Sequence, residues 1–181
     1  FGPRASYDES KRLSETLCYI YNDKFNSPIN IVRPFNNYGP GLNINDGRVI
    51  PDFFKNIMEN KDIEIYSDGT STRTFCYISD AITGYLLALL SNDKGEIYNI
   101  GNDVPEISIN DLANLIIDIS NSESKIVFKI NKDSQYLTNN PQRRCPDISK
   151  AKAKLNFSPK ISLKEGLIHT YDYYRDLINE N

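Results

Sequence analysis

The feature that most restricts the fold is an alternation of helical and strand-like stretches running almost the whole length of the chain. Tyr7 to Phe25 carries helix-forming residues, with Leu13, Leu17, Ile20 and Tyr21 on roughly one stripe. Pro28 ends that helix, because the residue before a proline is driven out of the α region. Ile29-Asn30-Ile31-Val32 follows at once and reads as a short buried strand rich in β-branched residues. Asn36-Asn37-Tyr38-Gly39-Pro40-Gly41 has the chemistry of a loop. Helical spacing returns over 49–60, with Val49, Phe53, Phe54 and Ile57 on one side. Segments 63–66 and 74–78 read as strands flanking an Asp68-Gly69 turn, 80–90 as an apolar helix and 96–100 as another strand.

Toward the C-terminus, Ser108 with Asp111 caps a helix running to about Ser120, and 125–130 is strand-like. Ser162-Leu163-Lys164-Glu165 is a capping box that opens a final helix to about Leu177. Such alternation predicts an α/β fold. Strands this few and short suit a small appended sheet better than a complete barrel.

Composition narrows the functional classes. A net charge of −3 with no basic run gives no footprint for nucleic acid. The longest apolar stretch, 82–90, is broken by Thr83, Gly84 and Tyr85 and is too short to span a bilayer, so no membrane association is expected. Cys18, Cys76 and Cys145 are odd in number and far apart, which argues against a disulfide framework or a Cys-x-x-Cys metal site and suits a cytoplasmic setting. No metal site is expected. His169, the one histidine, lies in the final helix without a signalled Ser or Cys partner, so a hydrolase triad is not expected. The chain opens on Phe1 rather than Met and has no Gly-x-Gly-x-x-Gly or Gly-x-x-Gly-x-x-Gly run, so the expectation is a C-terminal portion of a longer protein.

The densest chemistry is Tyr7-Asp8-Glu9-Ser10-Lys11. Residues four apart share a helical face, so Tyr7 and Lys11 can address one site. A phenol is a poor base at neutral pH, and a nearby ammonium stabilises the phenolate. Taken alone, the spacing equally suits a surface tyrosine beside a solvated lysine. Arg73 and Arg144 could offer planar forks to a diphosphate, which an ammonium does not. Arg48 precedes a predicted helix, where amides and dipole favour anions. Each of the three could also be an ordinary surface arginine.

Gly2-Pro3-Arg4-Ala5-Ser6-Tyr7-Asp8-Glu9-Ser10-Lys11-Arg12 resembles the catalytic segment of UDP-glucuronate decarboxylases, which are extended short-chain dehydrogenases/reductases of the NAD-dependent epimerase/dehydratase type. Ser6 stands where that family often has Cys. The resemblance continues through Arg33-Pro34-Phe35-Asn36-Asn37-Tyr38-Gly39-Pro40, Asn45-Asp46-Gly47-Arg48-Val49, Ser67-Asp68-Gly69, Thr72-Arg73 and Pro141-Gln142-Arg143-Arg144-Cys145-Pro146-Asp147-Ile148. Gly41-Leu42 departs from the Arg-Met usual in decarboxylases.

The resemblance implies the C-terminal portion of a Rossmann-fold enzyme. Residues 1–40 would end the Rossmann domain, and 41–181 would be mainly a sugar-nucleotide-binding domain with segments returning to the Rossmann sheet. It implies NAD as cofactor and a UDP-sugar as substrate. Tyr7 would be the base, Lys11 would tune it and contact the nicotinamide ribose, and Pro34 and Phe35 would lie along the nicotinamide. Asn36, otherwise a plain turn-former, would meet the diphosphate with Arg73. Tyr66 would cover the uracil and Val49 would line its pocket, where residues alone suggest ordinary core. Arg48 would join the substrate-binding set, and Arg144 would sit near the sugar carboxylate.

The implied reaction oxidises carbon 4 of UDP-glucuronate while Tyr7 takes the hydroxyl proton. The resulting β-keto acid loses carbon dioxide, and reduction gives UDP-xylose. A 4-epimerase or 4,6-dehydratase shares the first step, and the residues that separate these outcomes usually lie upstream of the tyrosine helix. A non-catalytic sugar-nucleotide-binding or dimerisation domain is the alternative of another class. The family habit of pairing the Tyr7 helix with its copy implies a homodimer.

Overall fold

The computed structural model describes residues 5–129 and 141–179. The Gly2-Pro3-Arg4 lead-in and the end of the predicted strand at Ile130 lie outside them. The described elements, in chain order, are α1 (Ala5–Phe25), β1 (Ile31–Pro34), β2 (Asn37–Tyr38), α2 (Val49–Met58), β3 (Ile63–Ile65), β4 (Thr72–Arg73) and β5 (Cys76–Tyr77). There follow α3 (Ile78–Leu90), β6 (Ile97–Ile100), β7 (Ile107–Ser108), α4 (Ile109–Ser120), β8 (Ile126–Phe128), β9 (Arg143–Arg144), α5 (Ser149–Leu155) and α6 (Leu163–Asn179). The α/β expectation holds.

The strands form small sheets. β1 pairs with β6, β2 with β5 and β3 with β8, all in parallel, while β4 lies between antiparallel β7 and parallel β9. Parallel partners cannot be joined by a tight hairpin, so helices make the crossovers. Two cores result. The larger packs Phe53, Phe54 and Ile57 of α2 against Leu112 and Ile116 of α4 and Leu167 and Tyr174 of α6. The smaller gathers Tyr98, Ile100, Ile148, Leu155 and Phe157 around the β1–β6 pair. Gly84 is required where α3 crosses β6, since an added Cβ would lie 2.5 Å from the Ile100 Cγ2 atom.

Local signals explain most boundaries. Ser108 accepts from the Asp111 amide at 3.0 Å and donates to its carboxylate at 2.7 Å, so α4 begins as expected. Ser162 accepts from the Glu165 amide at 3.2 Å and opens α6. Two expectations shift. The strand expected over 29–32 sits two residues later: the Asn30 side-chain oxygen, rather than a backbone carbonyl, accepts from the Glu96 amide at 3.2 Å, while its amide donates to the Ala88 and Asp93 carbonyls, so the ladder begins only at Ile31. The strand expected over 74–78 shrinks to β5 at Cys76–Tyr77, with Ile78 already in α3, while a separate strand, β4, forms just ahead of it at Thr72–Arg73 and pairs in a different sheet. α5 had no counterpart in the sequence reading.

Phe54 is fully buried, stacked on Tyr171 and edge-on to Tyr174. Phe54→Ala should cost about 3–5 kcal/mol of stability by urea denaturation. A loss below about 1 kcal/mol would show that the larger core does not depend on α2.

Candidate functional site

A cleft of about 970 Å³ opens between the start of α2, the end of β3 and the β7–β4–β9 sheet. Tyr7, Pro34, Asn36, Arg48, Val49, Tyr66, Arg73 and Arg144 all line it. These residues come from seven elements or their flanks, brought together by non-local pairing. Its volume is that of a small-molecule site.

Tyr7 stands at the mouth of the cleft, more than half exposed, with the Lys11 ammonium 5.4 Å from its ring centre. Their helix, α1, buries no side chain. It is tied to β1 by Arg33, whose fork donates to the Glu15 carboxylate at 2.6 and 2.5 Å. The arginine bond holds the Glu15 carboxyl below its ordinary range. Because Arg33 directly precedes Pro34, the same pair relates the tyrosine helix to the strand end that enters the cleft. Lys11 does not itself line the cleft, and Phe35 does not either. Strand alternation turns Phe35 toward Gly101, where an added Cβ would lie 2.8 Å from the Phe35 Cβ.

Asn36 has φ +44, a left-handed conformation that asparagine tolerates better than branched residues. Its side-chain amide donates to the Thr74 carbonyl at 2.8 Å, and its own carbonyl accepts from the Cys76 amide at 3.1 Å. It is therefore a turn-former and a cleft wall at once.

Arg73 and Arg144 are register partners across β4 and β9, so both project from the same face of the sheet. Arg73 is only 7% exposed, and its guanidinium donates to the Thr72 carbonyl at 2.7 Å. Among the described residues no carboxylate pairs with Arg144. Arg48 occupies the N-cap position of α2, with its guanidinium 3.1 Å from Asp46. Val49, the first helical residue, faces the cleft beside the free amides of that helix end. Tyr66 follows β3 and donates to Glu64 at 2.6 Å. Glu64 also pairs with Lys129, and these two bonds hold its carboxyl below the ordinary range.

Asp52, Glu64, Asn37 and Ser71, none of them a candidate by sequence, also line the cleft. Burial pushes the Asp52 carboxyl up. A lone carboxylate in the first turn of a helix looks like a residue complementing the dipole, so nothing in the sequence set it apart.

The model of the NAD dependent epimerase/dehydratase family matches residues 1–101, more than half of the chain. The chain belongs to the NAD-dependent epimerase/dehydratase family. It is 40% identical over 174 residues to UDP-glucuronic acid decarboxylase 1 of Xenopus tropicalis, covering 96% of this chain and 40% of that one. It thus spans less than half the length of that relative. Among solved structures, the UDP-glucuronic acid 4-epimerase of Bacillus cereus, in complex with UDP-glucuronic acid and NAD, is 35% identical with a TM-score of 0.79, covering 90% of this chain and 50% of that one. The UDP-glucose 4-epimerase of Thermotoga maritima, solved with UDP-glucose, superposes with a TM-score of 0.86 at 25% identity, covering 95% and 54%.

Residues outside the cleft carry less. His169 is half exposed on α6, 4.0 Å from Glu165. The three cysteines are free thiols, and burial pushes Cys76 up to about 12. Among the described residues no cluster of His, Cys, Asp and Glu could hold a metal, and no helix is long and apolar enough to cross a membrane.

The Asn36 turn gives a direct test for this family member. Asn36→Ala should lose about 1–2 kcal/mol of stability, from left-handed strain and the lost bond to Thr74. Asn36→Gly should lose less, because glycine adopts that φ freely. Equal losses in chemical denaturation would show that the left-handed backbone is not the constraint.

Proposed function

We propose that this chain forms the nucleotide-sugar side of a longer NAD-dependent enzyme that decarboxylates UDP-glucuronate to UDP-xylose. The observation that carries the proposal is the register-matched pair Arg73 and Arg144 in one cleft with Tyr7. The substrate has a diphosphate at one end and a sugar carboxylate at the other, and guanidinium forks suit both groups. Arg73, with Asn36 and the start of α2, takes the diphosphate, and Arg48 closes over it. Arg144 holds the carboxylate end. Tyr66 and Val49 bracket the base.

The residues present fit the nicotinamide end of NAD. Tyr7 and Lys11 stand side by side, and Pro34 enters the same cleft. No Gly-x-Gly-x-x-Gly or Gly-x-x-Gly-x-x-Gly run occurs in these 181 residues, so the phosphate cradle comes from the rest of the longer protein. When bound, NAD supplies reversible two-electron oxidation at carbon 4 of the sugar. Tyr7 takes the hydroxyl proton, with Lys11 stabilising the phenolate. The ketone beside the carboxylate-bearing carbon lets carbon dioxide leave as the bond electrons pass into an enolate, which takes a proton from water at carbon 5. Carbon 4 then regains the hydride removed at the outset while Tyr7 returns the proton to its oxygen.

The domain division follows from the same proposal. Residues 1–40 close the Rossmann domain, α3, β6 and α5 return to it around the smaller core, and the larger core belongs to the sugar-nucleotide domain. The setting is cytoplasmic.

A 4-epimerase is the second reading. It is favoured by the 35% identity to the Bacillus cereus enzyme and by Gly41-Leu42 in place of the decarboxylase Arg-Met. The full-length protein, incubated with NAD⁺ and UDP-glucuronate, should release carbon dioxide and UDP-xylose. Tyr7→Phe should lower kcat about 10²–10⁴-fold. An epimerised uronate without carbon dioxide would replace the decarboxylase with the epimerase.

Leu13, Leu17 and Tyr21 repeat every four residues along α1 and are all exposed. We propose that this stripe packs on its copy in a homodimer. The full-length protein should sediment as a dimer and Leu17→Glu as a monomer, whereas a monomeric parent would overturn the interface.

A further inference from the structure

β9 consists of two adjacent arginines, and only one can face the cleft. Strand alternation puts Arg144 on the cleft face beside Arg73 and Arg143 on the opposite face beside Thr72. A slip of one residue would send Arg144 out of the cleft. So short a strand has few ladder bonds with which to resist that slip. The ladder supplies Thr72 amide to Gln142 carbonyl at 2.8 Å and Thr74 amide to Arg144 carbonyl at 3.3 Å.

Glu106 lies just before β7 on the far edge of β4. The Arg143 Nε donates to both of its carboxylate oxygens, at 2.9 and 3.0 Å, and Nη2 lies 2.8 Å from Oε2. The Thr72 hydroxyl donates to the same carboxylate. One carboxylate therefore grips β9 and β4 together on the face away from the cleft.

We propose that Glu106 is a positioning residue for substrate binding: by holding Arg143 and Thr72 it fixes the register of β9, so that Arg144 rather than its neighbour meets the anionic sugar nucleotide. This rests on the assignment of Arg144 to the substrate site. Arg143 is exposed, so the pair gains little from charge alone, but a bidentate fork adds geometric specificity that a single-contact pair does not.

The test is a double-mutant cycle on UDP-glucuronate binding to the full-length protein, by titration calorimetry, with Glu106→Ala, Arg144→Ala and the double variant. Glu106→Ala should weaken binding about tenfold and add little to Arg144→Ala, since contacts acting through one another are non-additive. The charge-reversed pair Glu106→Arg with Arg143→Glu should restore affinity that Arg143→Glu alone loses, which a general folding defect would not do. If Arg144→Ala weakens binding and Glu106→Ala does not, or if the two losses add, the positioning role is wrong and the substrate assignment survives. If Arg144→Ala itself binds normally, the assignment falls and this inference with it.

Discussion

The cleft depends on burying one cation. A guanidinium as enclosed as that of Arg73 is tolerated only with acceptors in place. The carbonyls that receive it include those of Thr72 and Gln142, one on β4 and one leading into β9. Arg73 can therefore be buried in this way only when β9 lies alongside β4, and the pairing that satisfies it brings Arg144 to its side. Two guanidinium groups on one face repel, and half-burial weakens the screening that water would give.

The two cores divide the labour around this point. The larger one holds α2 and β3, so Val49, Arg48 and Tyr66 are carried by well-packed elements. The smaller one holds β1, whose carboxyl end delivers Pro34 and Asn36. Sites at the carboxyl ends of parallel strands are the common arrangement in open α/β sheets. A buried Asp80 links the halves, leaving α3 to accept the Lys160 and Ile161 amides at 3.0 and 2.9 Å just ahead of α6.

What the sequence discloses follows how local each interaction is. The caps at Ser108 and Ser162 act over three residues, so both helix starts were legible. Arg73 and Arg144 were legible singly, by residue type and motif, but not as neighbours, because β4 and β9 pair across a long separation. Which of Arg143 and Arg144 enters the cleft is invisible in the string Arg-Arg and is decided by Glu106, far upstream. β4 was hidden for a similar reason: Thr72 and Arg73 lie just ahead of the strand expected over 74–78, and only their pairing with β7 and β9, far along the chain, makes them a strand of their own. Asn30 shows the limit of pattern reading at single-residue scale, where a side-chain bond takes the place of a backbone one.

Binding and chemistry rest on unequal support. The residues assigned to the sugar nucleotide sit on or beside strands paired into small sheets and at the start of a packed helix. Tyr7 and Lys11 sit on α1, twenty-one residues with no buried side chain and several exposed aromatic and aliphatic ones. Helices of ordinary composition owe most of their stability to the packing of an apolar face, so α1 needs surfaces beyond those this chain offers it. In the proposed enzyme those surfaces are the second subunit and the rest of the longer protein. The proposed alignment of Tyr7 with the sugar is therefore a property of the assembled protein, whereas the residues proposed for the sugar nucleotide are carried by elements that this chain packs itself.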